Sequence, residues 1–449
     1  MKGPARDRIV ALLLGIAMCA VFNANGREIA TYDSQPTKYA ARELLLRGTL
    51  ALNHVVGRAP ALAERSAFVV ARDGRYRSAY SPLPAVLAAG ITWPLWKAGL
   101  VDIRAPGAPS LMAAATASFL VALAVSLVFL ACRRTLSTPR ALAVAIGLGL
   151  GTGLWPTASQ TLWQHETAIA GLALAVYAWI SLRAGVFGAN RGAALVGIGL
   201  GLAGAARMQL APAVIILLVG LAVSLGWRAA LVATALAAAI VVPVLAANHR
   251  WFGTVLGAAP MLEALHGTVH RSSGSFSFNP QGFAGLLISP SRGLLIFSPV
   301  VLVAVAGVRG VFREGWRAPH AWCLLAVLAE FVLYGSYTVW WGGHTYGPRY
   351  MLDILPLLVP AAIMAMSTLR GRLAGSLASL ALAWSVATAA IGAFCYPHER
   401  WNSDPADVDR YHERLWEWSD NQIARAWHTG PSPQNFTLFT RDSVRVPQP

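Results

Sequence analysis

The chain has 449 residues, of which 56% are hydrophobic and only 12% are charged. Soluble domains carry about 25% charged residues, so this composition excludes an ordinary soluble protein and predicts a polytopic membrane protein. The net charge of +16 comes almost wholly from arginines in short segments between apolar runs, which indicates membrane topology and not a nucleic-acid-binding face.

Apolar segments of roughly 20 residues, or fewer where alanine and glycine pack tightly, mark the predicted membrane-spanning helices. The first segment, 9–25, follows three basic residues, so we expect an uncleaved helix with a cytoplasmic N-terminus and not a signal peptide. The later spans are predicted at 110–132, 141–154, 166–182, 192–206, 210–226, 229–248, 293–311, 320–340, 352–367 and 373–395. The fold class is therefore all-α, with about eleven transmembrane helices.

The apolar segment 84–100 is interrupted by Pro94 and is predicted to lie in the membrane interface or to re-enter the membrane. If it crossed, the arginines that follow the next span would fall outside, against the positive-inside rule. Residues 26–109 then form one long extracytoplasmic loop that contains interfacial helices, and 249–292 form a second large outer loop. Residues 1–395 are predicted to form a single transmembrane domain, followed by a polar extracytoplasmic tail at 396–449.

Asp33 places an ionisable carboxylate just past the first predicted helix. It either caps the helix that Pro36 begins and Gly48 ends, or it accepts a proton from a substrate hydroxyl, since a helix N-terminus keeps a carboxylate ionised. Glu43 lies further along the same helix. We interpret it as a solvated charge beside its arginine neighbours, with a second functional carboxylate as the alternative.

Two arginines at predicted outer helix ends are candidate phosphate ligands. Arg207 lies in a very short turn between apolar helices, where it either snorkels to headgroups or binds a phosphate bidentately, and the phosphate role is preferred. Arg349 ends the densest motif of the chain, the glycine-rich and aromatic segment 340–350. Asp353 follows one turn later and is expected to orient Arg349 through a helical i,i+4 pair.

Further polar residues lie in or beside predicted spans. His165 and Glu166 open a predicted helix, where capping by Glu166 is favoured over binding of a sugar or a metal. Glu330 lies inside a span and is expected to face other helices. The loop at 249–292, which ends at Arg292, is predicted to be a lid or acceptor loop.

Together these motifs resemble those of the GT-C glycosyltransferases, in particular the bacterial relatives of protein mannosyltransferases and of the lipid A aminoarabinose transferase. The resemblance covers roughly the first 395 residues and rests on Asp33, Tyr39, 44–48, 80–84, 162–165, Arg207, 289–293 and 342–350. It implies that Asp33 is the catalytic base and that Arg207 and Arg349 hold the donor phosphate. The further candidates for substrate binding are Glu43, Tyr80, His165, Arg292, His344, Tyr346 and Asp353.

The predicted activity is the transfer of a sugar, with inversion, from a polyprenyl-phosphate-linked donor to a hydroxyl of a glycan, lipid or protein acceptor. We expect it on the extracytoplasmic face of the bacterial cytoplasmic membrane. Several relatives have a paired acidic dipeptide where Asp33 is here followed by Ser34, so a divalent metal stays open and no metal ligand is assigned. The alternatives are a transporter or flippase of a lipid-linked glycan, and a glycan polymerase or ligase that uses Arg250, Arg271 and Arg292.

Overall fold

The computed structural model describes residues 3–65, 67–262, 275–395 and 400–431, so Arg271 and the tail segments 396–399 and 432–449 lie outside the described residues. The described chain is built almost entirely of helices, with one antiparallel hairpin of strands β1 (Phe68–Val70) and β2 (Tyr76–Ser78). The helices are α1 (Pro4–Phe22), α2 (Gln35–Arg47), α3 (Asn53–Arg58), α4 (Leu83–Lys97), α5 (Ala108–Cys132), α6 (Thr138–Leu150), α7 (His165–Arg183), α8 (Ala189–Ala206), α9 (Ala211–Leu225), α10 (Trp227–Phe252), α11 (Pro280–Ile288), α12 (Leu294–Phe297), α13 (Leu302–Ala306), α14 (Val308–Arg313), α15 (Pro319–Gly335), α16 (Val359–Thr368), α17 (Arg372–Phe394), α18 (Arg400–Ser403) and α19 (Gln422–Thr429).

Several of these helices have the length and composition of membrane spans. Among the described residues, five helices are long and apolar enough to cross a membrane, and they are Ala108–Cys132, His165–Arg183, Met208–Leu225, Trp227–Phe252 and Arg372–Phe394. Shorter apolar helices occupy Thr138–Leu150, Pro319–Gly335 and Leu355–Thr368. The set is typical of a multi-pass membrane protein, and the number of eleven spans stays a prediction.

The segment 293–311, predicted as one continuous span, is instead a series of short helical pieces, α12, a 3₁₀ turn, α13 and α14. Pro299 begins the 3₁₀ turn after Ser298, and a proline has no backbone N–H to continue a helix. Gly307 separates α13 from α14 and lies directly against the Ala361 carbonyl of α16. None of these short helices has a side-chain hydrogen bond at its N-cap, and the segment bends where it packs between neighbouring helices.

Helix α4 covers the segment predicted to avoid crossing the membrane. Its 15 residues correspond to about 22 Å at about 1.5 Å per residue, short of the roughly 30 Å hydrocarbon core. It packs against α2 and α5, and these elements share an apolar cluster with the hairpin. The helix length agrees with an interfacial or re-entrant segment, while its position relative to a membrane stays a prediction.

Small residues let the central helices approach one another closely. A Cβ atom added at Gly171 of α7 would lie 2.5 Å from the Gly199 carbonyl oxygen of α8, and one added at Gly197 would lie 2.3 Å from the Ala233 carbonyl oxygen of α10. Helices in a membrane commonly associate through close backbone contact at small residues, because the surrounding lipid is as apolar as the helices and the hydrophobic effect does not drive them together. Helix α8 therefore packs closely against both α7 and α10.

A buried polar contact fixes the first outer segment to this bundle. Lys38 of α2 donates to Glu28 at 2.5 Å and to Ser110 Oγ of α5 at 3.1 Å. Glu28 also accepts a hydrogen bond from Thr161 at 2.5 Å. Gly48 ends α2 in the left-handed region with φ of 65°, as predicted. The turn that carries Asp33 immediately precedes α2 and is therefore held against the bundle.

Candidate active site

Asp33 and Arg349 meet in the structure although 316 residues separate them. Asp33 lies on a 3₁₀ turn at Tyr32–Ser34, and Arg349 begins another 3₁₀ turn at Arg349–Met351. The Arg349 Nη1 donates to Asp33 Oδ2 at 3.1 Å. The capping alternative for Asp33 receives no support, because no side chain caps α2 and the preceding turn is closed by a reciprocal pair of contacts between Thr31 and Ser34.

Aromatic rings surround the Arg349 guanidinium. Its Cζ lies 4.8 Å from the centre of the Trp163 ring and 5.5 Å from that of Tyr350. Its Nε is buried and has no hydrogen-bond partner within the described part of the chain. Contact with aromatic faces stabilises a cation without using its N–H groups, so Arg349 keeps donor capacity beyond the bond to Asp33.

A second, more deeply buried ion pair lies next to this one. Arg207 Nε is 2.8 Å from Asp353 Oδ2, and Asp353 Oδ1 is 2.9 Å from His165 Nδ1. Arg207 also contacts His165 Nε2 at 3.0 Å and donates to the Tyr334 hydroxyl at 2.6 Å. The Tyr334 ring stacks on Tyr350 with centroids 4.6 Å apart, which connects the two pairs. We name Asp33, Arg349, Arg207, His165 and Asp353 the polar cluster.

The partner of Asp353 differs from the prediction of an i,i+4 pair with Arg349. The chain after Arg349 forms a short 3₁₀ turn, and α16 begins only at Val359, so no helical turn relates the two side chains. Pro348 and Pro356 flank this stretch and interrupt helical hydrogen bonding. Asp353 therefore points to Arg207 and His165.

The charges of the polar cluster balance in pairs, one arginine against one aspartate each. Burial lowers the pKa of Arg349, but the Asp33 carboxylate and nearby phenols raise it to a net value above the ordinary one. Burial, and then the Asp33 charge, raise the pKa of Tyr80 well above its usual range. The Tyr80 phenol therefore keeps its proton next to the Asp33 carboxylate.

Several other predicted site residues lie apart from the polar cluster. Glu43 was predicted to be solvated but is 1% exposed, and both its oxygens accept from Arg47 Nη1, at 2.9 and 2.8 Å. Tyr346 is buried and donates to the Thr388 carbonyl of α17 at 2.9 Å. His344 contacts Asp407 instead, at 3.1 Å.

Arg292 is fully buried and its guanidinium is saturated by structural contacts. It donates to the carbonyls of Trp341, Ser291 and Gly343 at 3.0, 2.7 and 3.0 Å. It also donates to Gln422 Oε1 at 2.8 Å and to Asn402 Oδ1 at 2.6 Å. Burial lowers its pKa to about 9. These contacts give Arg292 the role of holding segments together.

The two glutamates at helix positions behave largely as predicted. Glu166 is buried at the start of α7 and accepts from the Trp163 N–H at 3.1 Å, which is a capping contact. Glu330 of α15 faces the start of α9 and accepts from the Ala213 N–H at 3.3 Å. Neither of these two contacts joins a glutamate to a residue of the polar cluster.

Sequence reasoning missed some residues around the site. Tyr334 had a detectable signal, because it lies four residues after Glu330 and therefore on the same inward face of α15. Trp163 lies in the motif 162–165 that carries the resemblance but was given no role of its own, whereas its ring contacts Arg349. Asp407 and Asp409 come from the polar tail, and only their D-x-D spacing draws attention to them.

No family model matches the sequence, and no curated protein does. The solved structures that the chain is similar to include two of oligosaccharyltransferases. One is the crystal structure of the Archaeoglobus fulgidus oligosaccharyltransferase tethered with an acceptor peptide containing the NVT sequon, at 11% identity and a TM-score of 0.48, covering 91% of this chain and 60% of that one. Another is the archaeal oligosaccharyltransferase AglB from Archaeoglobus fulgidus in complex with an inhibitory peptide and a dolichol-phosphate, at 12% identity and a TM-score of 0.48, covering 92% and 60%. The chain thus spans 60% of the length of each, and no residue role or activity is transferred from them.

Proposed function

We propose that this chain is a GT-C-type membrane glycosyltransferase. It moves a sugar from a polyprenyl-phosphate donor to an acceptor hydroxyl on the extracytoplasmic face of the bacterial cytoplasmic membrane. The observation that carries the proposal is the contact between Asp33 and Arg349, a candidate base and a candidate phosphate ligand from opposite ends of the chain, 3.1 Å apart. A partly exposed carboxylate next to a cation with spare donors is what this reaction requires.

In the proposed reaction Asp33 takes the proton of the acceptor hydroxyl while the hydroxyl oxygen attacks the anomeric carbon. The bond between that carbon and the phosphate oxygen breaks, and its electron pair leaves with the polyprenyl phosphate. Attack from the face opposite the phosphate inverts the configuration. The proton ends on the Asp33 carboxyl, which lies beside the Tyr80 phenol.

Arg349 supplies the charge that stabilises the departing phosphate. Negative charge grows on the phosphate in the transition state, and a fixed guanidinium in a water-poor site lowers the energy of that charge. Arg349 is the more accessible arginine, because Arg207 is already engaged by Asp353, His165 and Tyr334. We assign Arg207 a second, supporting role in phosphate binding, in which its network with Asp353, His165 and Tyr334 holds it in place.

The charge balance of the polar cluster implies an order of events. A phosphate that binds Arg349 competes with Asp33 for the same guanidinium. Donor binding therefore releases the Asp33 carboxylate at the moment when it is needed as a base, and an empty site keeps it paired.

The test is a transfer assay in membranes with a panel of labelled polyprenyl-phosphate sugars and release of polyprenyl phosphate as the readout. Asp33→Asn is expected to lower the rate by about 10²- to 10⁴-fold, the usual contribution of general base catalysis. Asp102→Asn is the matched control, since Asp102 is an exposed carboxylate in the same predicted outer loop. Full activity of Asp33→Asn at equal protein level would refute the base assignment, and turnover of none of the donors by wild type would refute the donor class.

The polymerase or ligase alternative relies on Arg250, Arg271 and Arg292, of which Arg271 lies outside the described residues. Arg292 is 0% exposed and gives its N–H groups to backbone and amide oxygens, so it has no capacity for a substrate in this conformation. Within the described ranges, no specific contact favours the transporter alternative. The transferase is therefore the function proposed.

A further inference from the structure

Three potential metal ligands from distant parts of the chain converge outside the polar cluster. They are His344, from the glycine-rich loop that ends at Arg349, and Asp407 and Asp409, from the segment 400–431. His344 Nε2 lies 3.1 Å from Asp407 Oδ1 and 3.4 Å from Asp409 Oδ2, and all three atoms lie within 4.8 Å of one another.

We propose that these three side chains form a divalent cation site of the zinc type. Zinc binds imidazole nitrogen and carboxylate oxygen at about 2.0–2.2 Å in a tetrahedron, which places neighbouring ligand atoms about 3.3–3.5 Å apart. Both distances from His344 Nε2 agree with this spacing to within a few tenths of an ångström. A water molecule completes the fourth position. The imidazole ligand disfavours Ca²⁺ and Mg²⁺, which prefer oxygen ligands.

The ligands are oriented by neighbours and stay accessible. Trp341 Nε1 donates to Asp409 Oδ1 at 2.6 Å, which leaves Oδ2 directed at His344. Metal-ligating groups are commonly fixed by such a hydrogen bond from outside the coordination sphere. Asp409 is nearly buried, whereas the side chains of Asp407 and His344 are 42% and 34% exposed, so an ion can enter from the solvent.

A nearby positive charge does not replace the ion. The hydrogen bonds of Arg292 within the described chain go to carbonyl and amide oxygens and not to the carboxylates of Asp407 and Asp409. Arg292 acts on Asp409 through its charge.

The site has a structural consequence. A cation bound there joins the loop that carries Arg349 to the segment 400–431 and fixes one to the other. The proposal does not depend on the transferase function, because the ion would bind whatever the polar cluster does.

The experiment uses the full chain, purified in detergent and freed of metal with a chelator. Zn²⁺ and Ca²⁺ are titrated calorimetrically, Co²⁺ is followed by its visible absorption, and unfolding temperature is measured with and without Zn²⁺. The variants are His344→Ala and Asp407→Asn. Their matched controls are His428→Ala and Glu413→Gln, which alter exposed side chains of the same C-terminal segment.

Wild type and both controls are expected to bind roughly one Zn²⁺, to show the intense bands of tetrahedral Co²⁺, and to unfold at a higher temperature with Zn²⁺. His344→Ala and Asp407→Asn should lose these effects while unfolding at an unchanged temperature without metal. Trp341→Phe should weaken binding by about 10- to 100-fold. Absence of Zn²⁺ binding by wild type, equal binding by His344→Ala, or equal affinity for Ca²⁺ would overturn the proposal and leave a histidine–aspartate ion cluster.

Discussion

Replacing Asp33 with asparagine should have opposite effects on binding and on catalysis. The amide keeps the shape of the carboxylate but can neither accept the acceptor's proton nor neutralise Arg349. Because Asp33 and a phosphate compete for that guanidinium, removing the carboxylate charge frees Arg349 for the donor. We therefore expect Asp33→Asn to bind polyprenyl phosphate more tightly than wild type while its transfer activity collapses.

The size of the effect follows from the geometry of the ion pair. Unit charges 3.1 Å apart attract by about 1.3 kcal/mol in water and by about 5 kcal/mol at an effective dielectric constant of about 20. The side chains of Arg349 and Asp33 are 13% and 32% exposed, so solvent screens the pair in part, and about 1–2 kcal/mol is a reasonable net value. Since about 1.4 kcal/mol corresponds to a factor of ten, the affinity should rise about 5- to 30-fold.

The assay is equilibrium binding of undecaprenyl phosphate to the purified protein in detergent, beside transfer activity in membranes. Arg349→Ala should lose binding, and Asp102→Asn should behave as wild type in both measurements. Binding of Asp33→Asn that equals or falls below that of wild type would refute competition between Asp33 and phosphate. Tighter binding with retained activity would refute only the role as base.

Three further outcomes are expected. Arg207→Ala leaves the buried Asp353 charge without its cation and should lower the free energy of unfolding by about 3–5 kcal/mol. The double variant Arg207→Met with Asp353→Asn should recover most of that loss. The unfolding temperature in detergent measures both effects. Gly171→Ala forces a Cβ to 2.5 Å from the Gly199 carbonyl oxygen and should cost about 1–3 kcal/mol, while Gly204→Ala, with no neighbour nearer than 3.6 Å, should be tolerated. Tyr80→Phe removes the phenolic hydroxyl beside Asp33 and should lower kcat about tenfold with little change in KM, whereas a raised KM with unchanged kcat would argue for a binding role.

The sequence predicted the elements that local patterns specify. Long apolar runs identified α5, α7 and α10, and Gly48 marked the end of α2, because hydropathy and left-handed glycine caps depend only on nearby residues. The positive-inside rule placed Asp33 and Arg349 on one predicted face, and the structure brings the two into contact.

Local sequence patterns did not predict which charged side chains pair with one another. Asp353 was assigned to Arg349 on helical spacing, and a 3₁₀ turn between prolines redirected it to Arg207. Glu43 lies on a helix among arginines and looked solvated, but the hairpin and α4 cover that helix. Both errors arise because burial is decided by elements far away in the chain, which periodicity does not encode.

The contacts of Arg292 bear on the order in which the protein is made. Its guanidinium reaches the acceptors Asn402 and Gln422, which lie more than a hundred residues later in the chain and follow the end of α17. A chain emerging from the ribosome would insert its apolar helices before those acceptors exist, leaving a charge without partners beside the loop that presents Arg349. The site would then be completed only in the final stage of synthesis, so a prematurely terminated chain would sit in the membrane without forming a competent centre.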